Sequence, residues 1–148
     1  MLLPEKAHRC LLRHFIASVA TLPGFTCVRP TTQGVVEGNR VEVRIDGPSK
    51  QARGQKTAYV FEVNLLTTVM LDTQQVDITA YKHQVQAFFE RCIPVYDLDV
   101  APPPQPVLGY LRLATGFRKS IAVADFGILN SPVPLTQFSC EGHYNFFP

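Results

Sequence analysis

The sequence predicts an α+β domain: an antiparallel β-sheet with an N-terminal helix and a central amphipathic helix packed on one face. Two stretches show apolar residues at three- and four-residue steps, alternating strands lie between and after them, and prolines and glycines mark the boundaries. At 148 residues the chain fits a single domain, 1–148, with an extended C-terminal tail over about 130–148.

The first helix runs from Leu3 to Leu22, because Leu3, Ala7, Cys10, Leu11, Phe15, Val19 and Leu22 form one stripe. Pro4 suits its first turn, and Pro23 with Gly24 stops it. A short strand follows in "FTCVRP". In "NRVEVRID", Val41, Val43 and Ile45 point one way and Glu42, Arg44 and Asp46 the other, as a half-buried strand requires. "GPSKQARGQK" carries Lys50, Arg53 and Lys56 and no acid, which predicts a flexible basic loop joining antiparallel strands. In the returning strand, "KTAYVFEVNLLTTVMLD", both faces are rich in apolar residues, so it is central or covered by a partner.

Asp77 caps the second helix, in which Ile78, Tyr81, Val85, Phe88, Phe89 and Cys92 form the stripe. It ends before Pro94, and "YDLDVAPPPQP" reads as a stiff extended connector. "VLGYLRLAT" and "SIAVADFGIL" read as a hairpin around "GFRK". In the tail, prolines 132, 134 and 148 leave room for one edge strand, "LTQFSCEGHYNF". Its aromatics Phe138, Tyr144, Phe146 and Phe147 either fold back onto the core or insert into a neighbour.

Hydrophobic residues make up 46% of the chain and charged residues 18%, a balance that suits burial against partners, while a net charge of +2 does not point to general nucleic-acid or membrane binding. The N-terminus lacks the layout of a secretory signal, and no apolar run approaches the roughly 20 residues of a membrane span. Cys10, Cys27, Cys92 and Cys140 are scattered, which predicts free thiols in a reducing compartment and no zinc site.

Catalytic signatures are sparse. No serine sits in Gly-x-Ser-x-Gly, and the basic loop joins strand to strand, without the helix that a phosphate-cradling glycine loop needs. His143 lies near Cys140 and Glu141, a spacing too short for a thiolate and its base from different elements, and His8 and His14 fall on or beside the first helix's stripe. Asp46 ending one strand, with Glu62 in the next, resembles the paired carboxylates of the restriction-endonuclease-like nucleases, which hold Mg²⁺. Asn64 stands where that superfamily has its lysine, and Lys56 lies a strand's length away.

The order of elements, with "VFEVNLLTTV" leading through a polar turn into "DITAYKHQVQAFF", resembles the tail-terminator and neck proteins of tailed bacteriophages. The resemblance implies a non-enzymatic virion protein without cofactor or bound metal, assembled in the host cytoplasm. It would form a homo-oligomeric ring, a hexamer, that caps the tail tube and joins it to the head connector. Lys50, Arg53 and Lys56, with Phe138, Tyr144, Phe146 and Phe147, are the residues expected to meet a neighbouring subunit or partner, and the basic loop is placed for transient contact with genomic DNA in the lumen. Two further readings stand beside it: the Mg²⁺-dependent nuclease using Asp46 and Glu62, and an adaptor that binds a partner by strand addition.

Overall fold

The computed structural model describes residues 3–21, 25–28, 39–70, 78–114, 118–120 and 135–148. The fold is mixed α+β. Helix α1 spans Leu3–Ala20 and α2 spans Ile78–Phe89; the strands are β1 (Phe25–Val28), β2 (Asn39–Arg53), β3 (Lys56–Met70), β4 (Ile93–Tyr96), β5 (Val107–Leu113), β6 (Arg118–Ser120) and β7 (Leu135–Phe146). Six strands follow the path β1-β2-β3-β7-β5-β4, and β6 adds to β7.

Alternation in the sequence decides which side of each central strand is buried. Val41 and Val43 of β2, Phe61, Val63 and Leu65 of β3, and Cys140, Tyr144 and Phe146 of β7 are all buried in one cluster. The stripe of α1 behaves as its spacing predicts: Ala7, Cys10, Leu11, Phe15 and Val19 are buried in that cluster, while Leu3 at the helix start is exposed. From α2, Val85, Phe88 and Phe89 join it. Cys92 lies beyond the end of α2 and is exposed. The Asp77 cap and the side chains of Ile78 and Tyr81 fall outside the described residues. Phe15 ties the layers together, its ring lying 5.8 Å from that of Phe89 and 6.2 Å from that of Tyr144. The Tyr144 hydroxyl donates to the Phe88 carbonyl at 3.1 Å, so the polar end of this buried ring is satisfied.

Several expectations are corrected. The sheet is not wholly antiparallel, because β1 pairs parallel with β2. Residues 47–56 do not form a loop: β2 and β3 pair as far as Arg53 and Lys56 around a turn at Gly54 and Gln55, so the segment is a β-ribbon. Between Asp46 and Ser49 the ladder takes an extra residue on β2, and Gly47 there has φ +107° with no room for a Cβ against the Val60 carbonyl. Strand β4 answers to no sequence expectation and ends at Tyr96, where the expected connector begins; Pro94 is tolerated because β4 is the last strand of the path.

Strands β5 and β6 do not form a hairpin with each other, since both pair antiparallel with β7. The "SIAVADFGIL" strand, from 121 on, lies outside the described residues. The largest correction concerns the C-terminus. Residues 135–146 are neither an extended tail nor an edge strand, because β7 pairs with β3 along its length and with β5 and β6 on its other side. The physical reason is that Cys140, Gly142, Tyr144 and Phe146 alternate inward, which gives this segment a face fit only for the core.

Gly142 sets how closely α2 approaches the sheet, because a Cβ there would overlap ring carbons of Phe89. Gly142→Val should therefore destabilise the protein by about 1–3 kcal/mol through overpacking, read as a lower urea midpoint with an unchanged m-value.

Candidate interaction surfaces

The β2–β3 ribbon carries the three sequence-predicted cations near its tip, Arg53 and Lys56 as register partners on one face and Lys50, paired with Tyr59, on the other. Beyond Tyr59, which pairs with Phe146, β7 has no further register partner for β3, and the pairs Gln51↔Ala58, Ala52↔Thr57 and Arg53↔Lys56 continue as two strands alone. Residues 46–57 are all exposed. The Lys50 ammonium lies 5.9 Å above the centre of the Tyr59 ring, and Arg53 donates to the Gln51 side chain at 3.0 Å. Such contacts orient exposed cations without neutralising them.

The outward face of the same sheet carries the carboxylates singled out in the sequence. Asp46 and Glu62 are direct register partners across β2 and β3, and His143 of β7 is the partner of Glu62 on its other side. Both carboxylates are exposed. Asn64 donates to Glu62 at 3.3 Å, and the His143 Nε2 is 3.9 Å from the other Glu62 oxygen. Among the described residues, no group of three or more His, Cys, Asp or Glu side chains is placed to hold a metal ion. Beside this row is a groove of about 330 Å³, lined by Glu42, Arg44, Asn64, Leu66, Ser139 and Glu141. Arg44 approaches Glu42 at 3.5 Å, and the Asn64 Oδ1 is buried without a hydrogen-bond partner among the described residues.

A second concavity lies between α1 and the segment joining β4 to β5. It measures about 550 Å³, and Cys10, Arg13, His14, Tyr96, Leu98 and Pro103 contribute to its walls. The Cys10 thiol donates to the Pro94 carbonyl at 2.8 Å. Burial raises the pKa of Cys10, and burial followed by the charge of Arg91 lowers that of His14, so the thiol is kept protonated and the imidazole neutral near pH 7. The joining segment is clasped to α1 by charge. Lys6 donates to Asp97 at 2.9 Å and lies 3.1 Å from Asp99, which Arg9 meets at 3.0 Å. Sequence reading missed this clasp because its partners are some 90 residues apart in the chain.

Of the four C-terminal aromatics, Tyr144 and Phe146 are fully buried within the chain and are not available as a partner surface. Phe147 is 45% exposed, and the side chain of Phe138 lies outside the described residues. A different apolar stretch is exposed. Tyr96, Val107, Leu108 and Tyr110, between 39% and 53% exposed, lie on the paired strands β4 and β5. The signal was present in "VLGY", an apolar run that the strand's alternation cannot bury on one side. None of the four cysteines forms a disulfide; Cys10 and Cys140 are buried, while Cys92 is exposed. No helix among the described residues is long and apolar enough to cross a membrane.

Two outcomes follow from this geometry. Hydrogen bonds from Lys6 hold the Asp97 carboxyl below its ordinary value of 3.8, and bonds from Lys6 and then Arg9 do the same for Asp99. Their contribution to stability is therefore complete above pH 3.8 and is lost as pH falls through the lowered values. Urea midpoints measured from about pH 5 down to about pH 2 should fall less steeply in Asp97→Asn than in the wild type. Because Glu62 is exposed and directly opposite a like charge, Glu62→Gln should leave the midpoint at pH 7 unchanged or raise stability by up to about 0.5 kcal/mol.

No family model matches the chain, and no curated protein matches it. One solved structure, of a protein whose own description states no function, is similar over 97% of this chain and 96% of its own length, with a TM-score of 0.53 and 14% sequence identity. That likeness shows a shared fold.

Proposed function

We propose that the protein is a non-enzymatic virion component of the tail-terminator or neck kind, forming a ring that caps the tail tube and joins it to the head connector. The observation that carries this reading is a pair of chemically different exposed surfaces on separate parts of one sheet. They are the basic β2–β3 ribbon with Lys50, Arg53 and Lys56, and the apolar stretch of Tyr96, Val107, Leu108 and Tyr110. A closed ring joins unlike patches on successive copies, and apolar area of this kind is what a subunit contact covers. The order of elements supports it too, with the long strand β3 followed by the amphipathic helix α2. In this reading both helices lie on the inner face of the sheet, and the outer face is left to neighbours.

A second reading draws on Asp46 and Glu62. Their direct pairing across β2 and β3 puts two hard oxygen ligands on one face, which is the arrangement an Mg²⁺-dependent nuclease needs. Asn64, hydrogen-bonded to Glu62, can neither carry a positive charge nor take up a proton from an attacking water.

Light scattering over a concentration series, with negative-stain imaging of the purified protein alone and mixed with tail tubes, tests the first reading. Closed rings, alone or seated on tube ends, are the expected outcome. A monomer indifferent to tubes overturns it, and Mg²⁺-dependent DNA cleavage that disappears in Glu62→Ala would put the nuclease in its place.

A further inference from the structure

We propose that the tip of the β2–β3 ribbon binds duplex DNA, with Lys50, Arg53 and Lys56 meeting phosphates as the ribbon enters the major groove. The ribbon is one of the two surfaces in the ring reading above, and the inference names the partner of its outer end.

Shape and charge define the tip. The pairs Gln51↔Ala58, Ala52↔Thr57 and Arg53↔Lys56 continue past the end of the β3–β7 ladder, so the tip stands about 10 Å beyond it at roughly 3.3 Å per residue. The stretch "SKQARGQKT", residues 49–57, is exposed throughout. It holds three cations, the amides Gln51 and Gln55, the hydroxyls Ser49 and Thr57, and no acid. Arg53 donates to the neutral Gln51 side chain and Lys50 lies over the Tyr59 ring, contacts that leave both charges in place. Asp46 and Glu62, the nearest acids along the two strands, are about 20 Å back from Arg53 and Lys56.

The placement of the cations selects the partner. Lys50, paired with Tyr59, leaves one face of the ribbon, and Arg53 with Lys56 leaves the other. A flat anionic surface can meet only one face at a time, whereas a groove with a phosphate strand along each wall meets both. The major groove of B-DNA, about 12 Å wide, admits a two-stranded ribbon. That of A-form RNA is too narrow for side chains to read, and single strands are held by stacking on aromatic rings, which residues 47–58 lack. Nor does this stretch offer a large apolar side chain to a lipid surface. With three phosphates neutralised by one tip, the association constant falls with a log–log salt slope of about −2.7, which is about 80-fold between about 20 mM and about 100 mM salt.

The test is fluorescence anisotropy of a short labelled duplex of mixed sequence, titrated with the wild type, with Arg53→Gln/Lys56→Gln, and with Arg91→Gln/Arg112→Gln, which removes the same charge from exposed positions elsewhere. The wild type should bind with a slope of about −2.7 or steeper, and the tip variant should lose at least tenfold in association constant and about 1.8 of that slope per tip. The second variant should lose less than threefold. In a parallel acetylation footprint of the wild type, saturating duplex should protect Lys50 and Lys56, and this readout decides if the tip variant changes its circular dichroism or its assembly. No binding at about 20 mM salt, equal losses in the two variants, unprotected Lys50 and Lys56, or equally tight binding of single-stranded RNA or phosphatidylserine vesicles each overturns the inference. Rings that form without binding DNA overturn it and leave the ring reading standing, whereas tip-dependent DNA binding by a monomer indifferent to tail tubes supports it and overturns the ring.

Discussion

Strand β3 is hydrogen-bonded on both sides, to β2 over most of its length and to β7 from Tyr59 to Met70, and the rest of the fold is arranged around that double pairing. Because side chains alternate, the register leaves no freedom: Phe61, Val63 and Leu65 face the core, so Glu62 and Asn64 face away from it. A slip of one residue against either neighbour would turn carboxylate and amide inward and strand three large apolar side chains in water. The same register sets Asp46 and His143 on either side of Glu62, so the charged row on the outer face is a by-product of how the core is filled.

The same register delivers Tyr144 to a junction with residues of both helices. Phe15 from α1 and Phe89 from α2 pack on its ring, and its hydroxyl ends on the carbonyl of Phe88. Three elements far apart in the chain thus share one aromatic junction. Burial pushes the Tyr144 phenol well above its ordinary value, so the neutral form is held there at every pH at which the protein is expected to work.

Local periodicity made much of this legible. The buried stripe of α1, the inward valines of β2 and both faces of β3 could be read because each pattern is contained within one element. What could not be read depends on pairing between distant segments. Prolines near the C-terminus suggested an edge, yet the alternation of Cys140, Gly142, Tyr144 and Phe146 belongs to a central strand, and only its two neighbours reveal which signal prevails. Likewise the glycines and cations of 47–56 look like loop composition, and the ribbon exists because β2 and β3 continue to pair through the bulge at Gly47. Of the candidate surface, the cations and carboxylates were visible in the sequence as residue types, whereas the pairing of Asp46 with Glu62 on one face and the exposed β4–β5 stretch required the fold.

The Cys10 thiol on the Pro94 carbonyl bears on what the molecule can join to. Strand β4 ends the path; Pro94 has no N–H to offer an incoming strand, and its carbonyl is already engaged by α1. Next to it, the Lys6 and Arg9 clasp holds the following segment against the same helix. At Pro94 that margin of the sheet offers an incoming backbone neither a donor nor a free acceptor, which disfavours edge-to-edge stacking of copies there. Association at this end is left to side chains, which can be selective about geometry in a way that an open ladder of amides cannot.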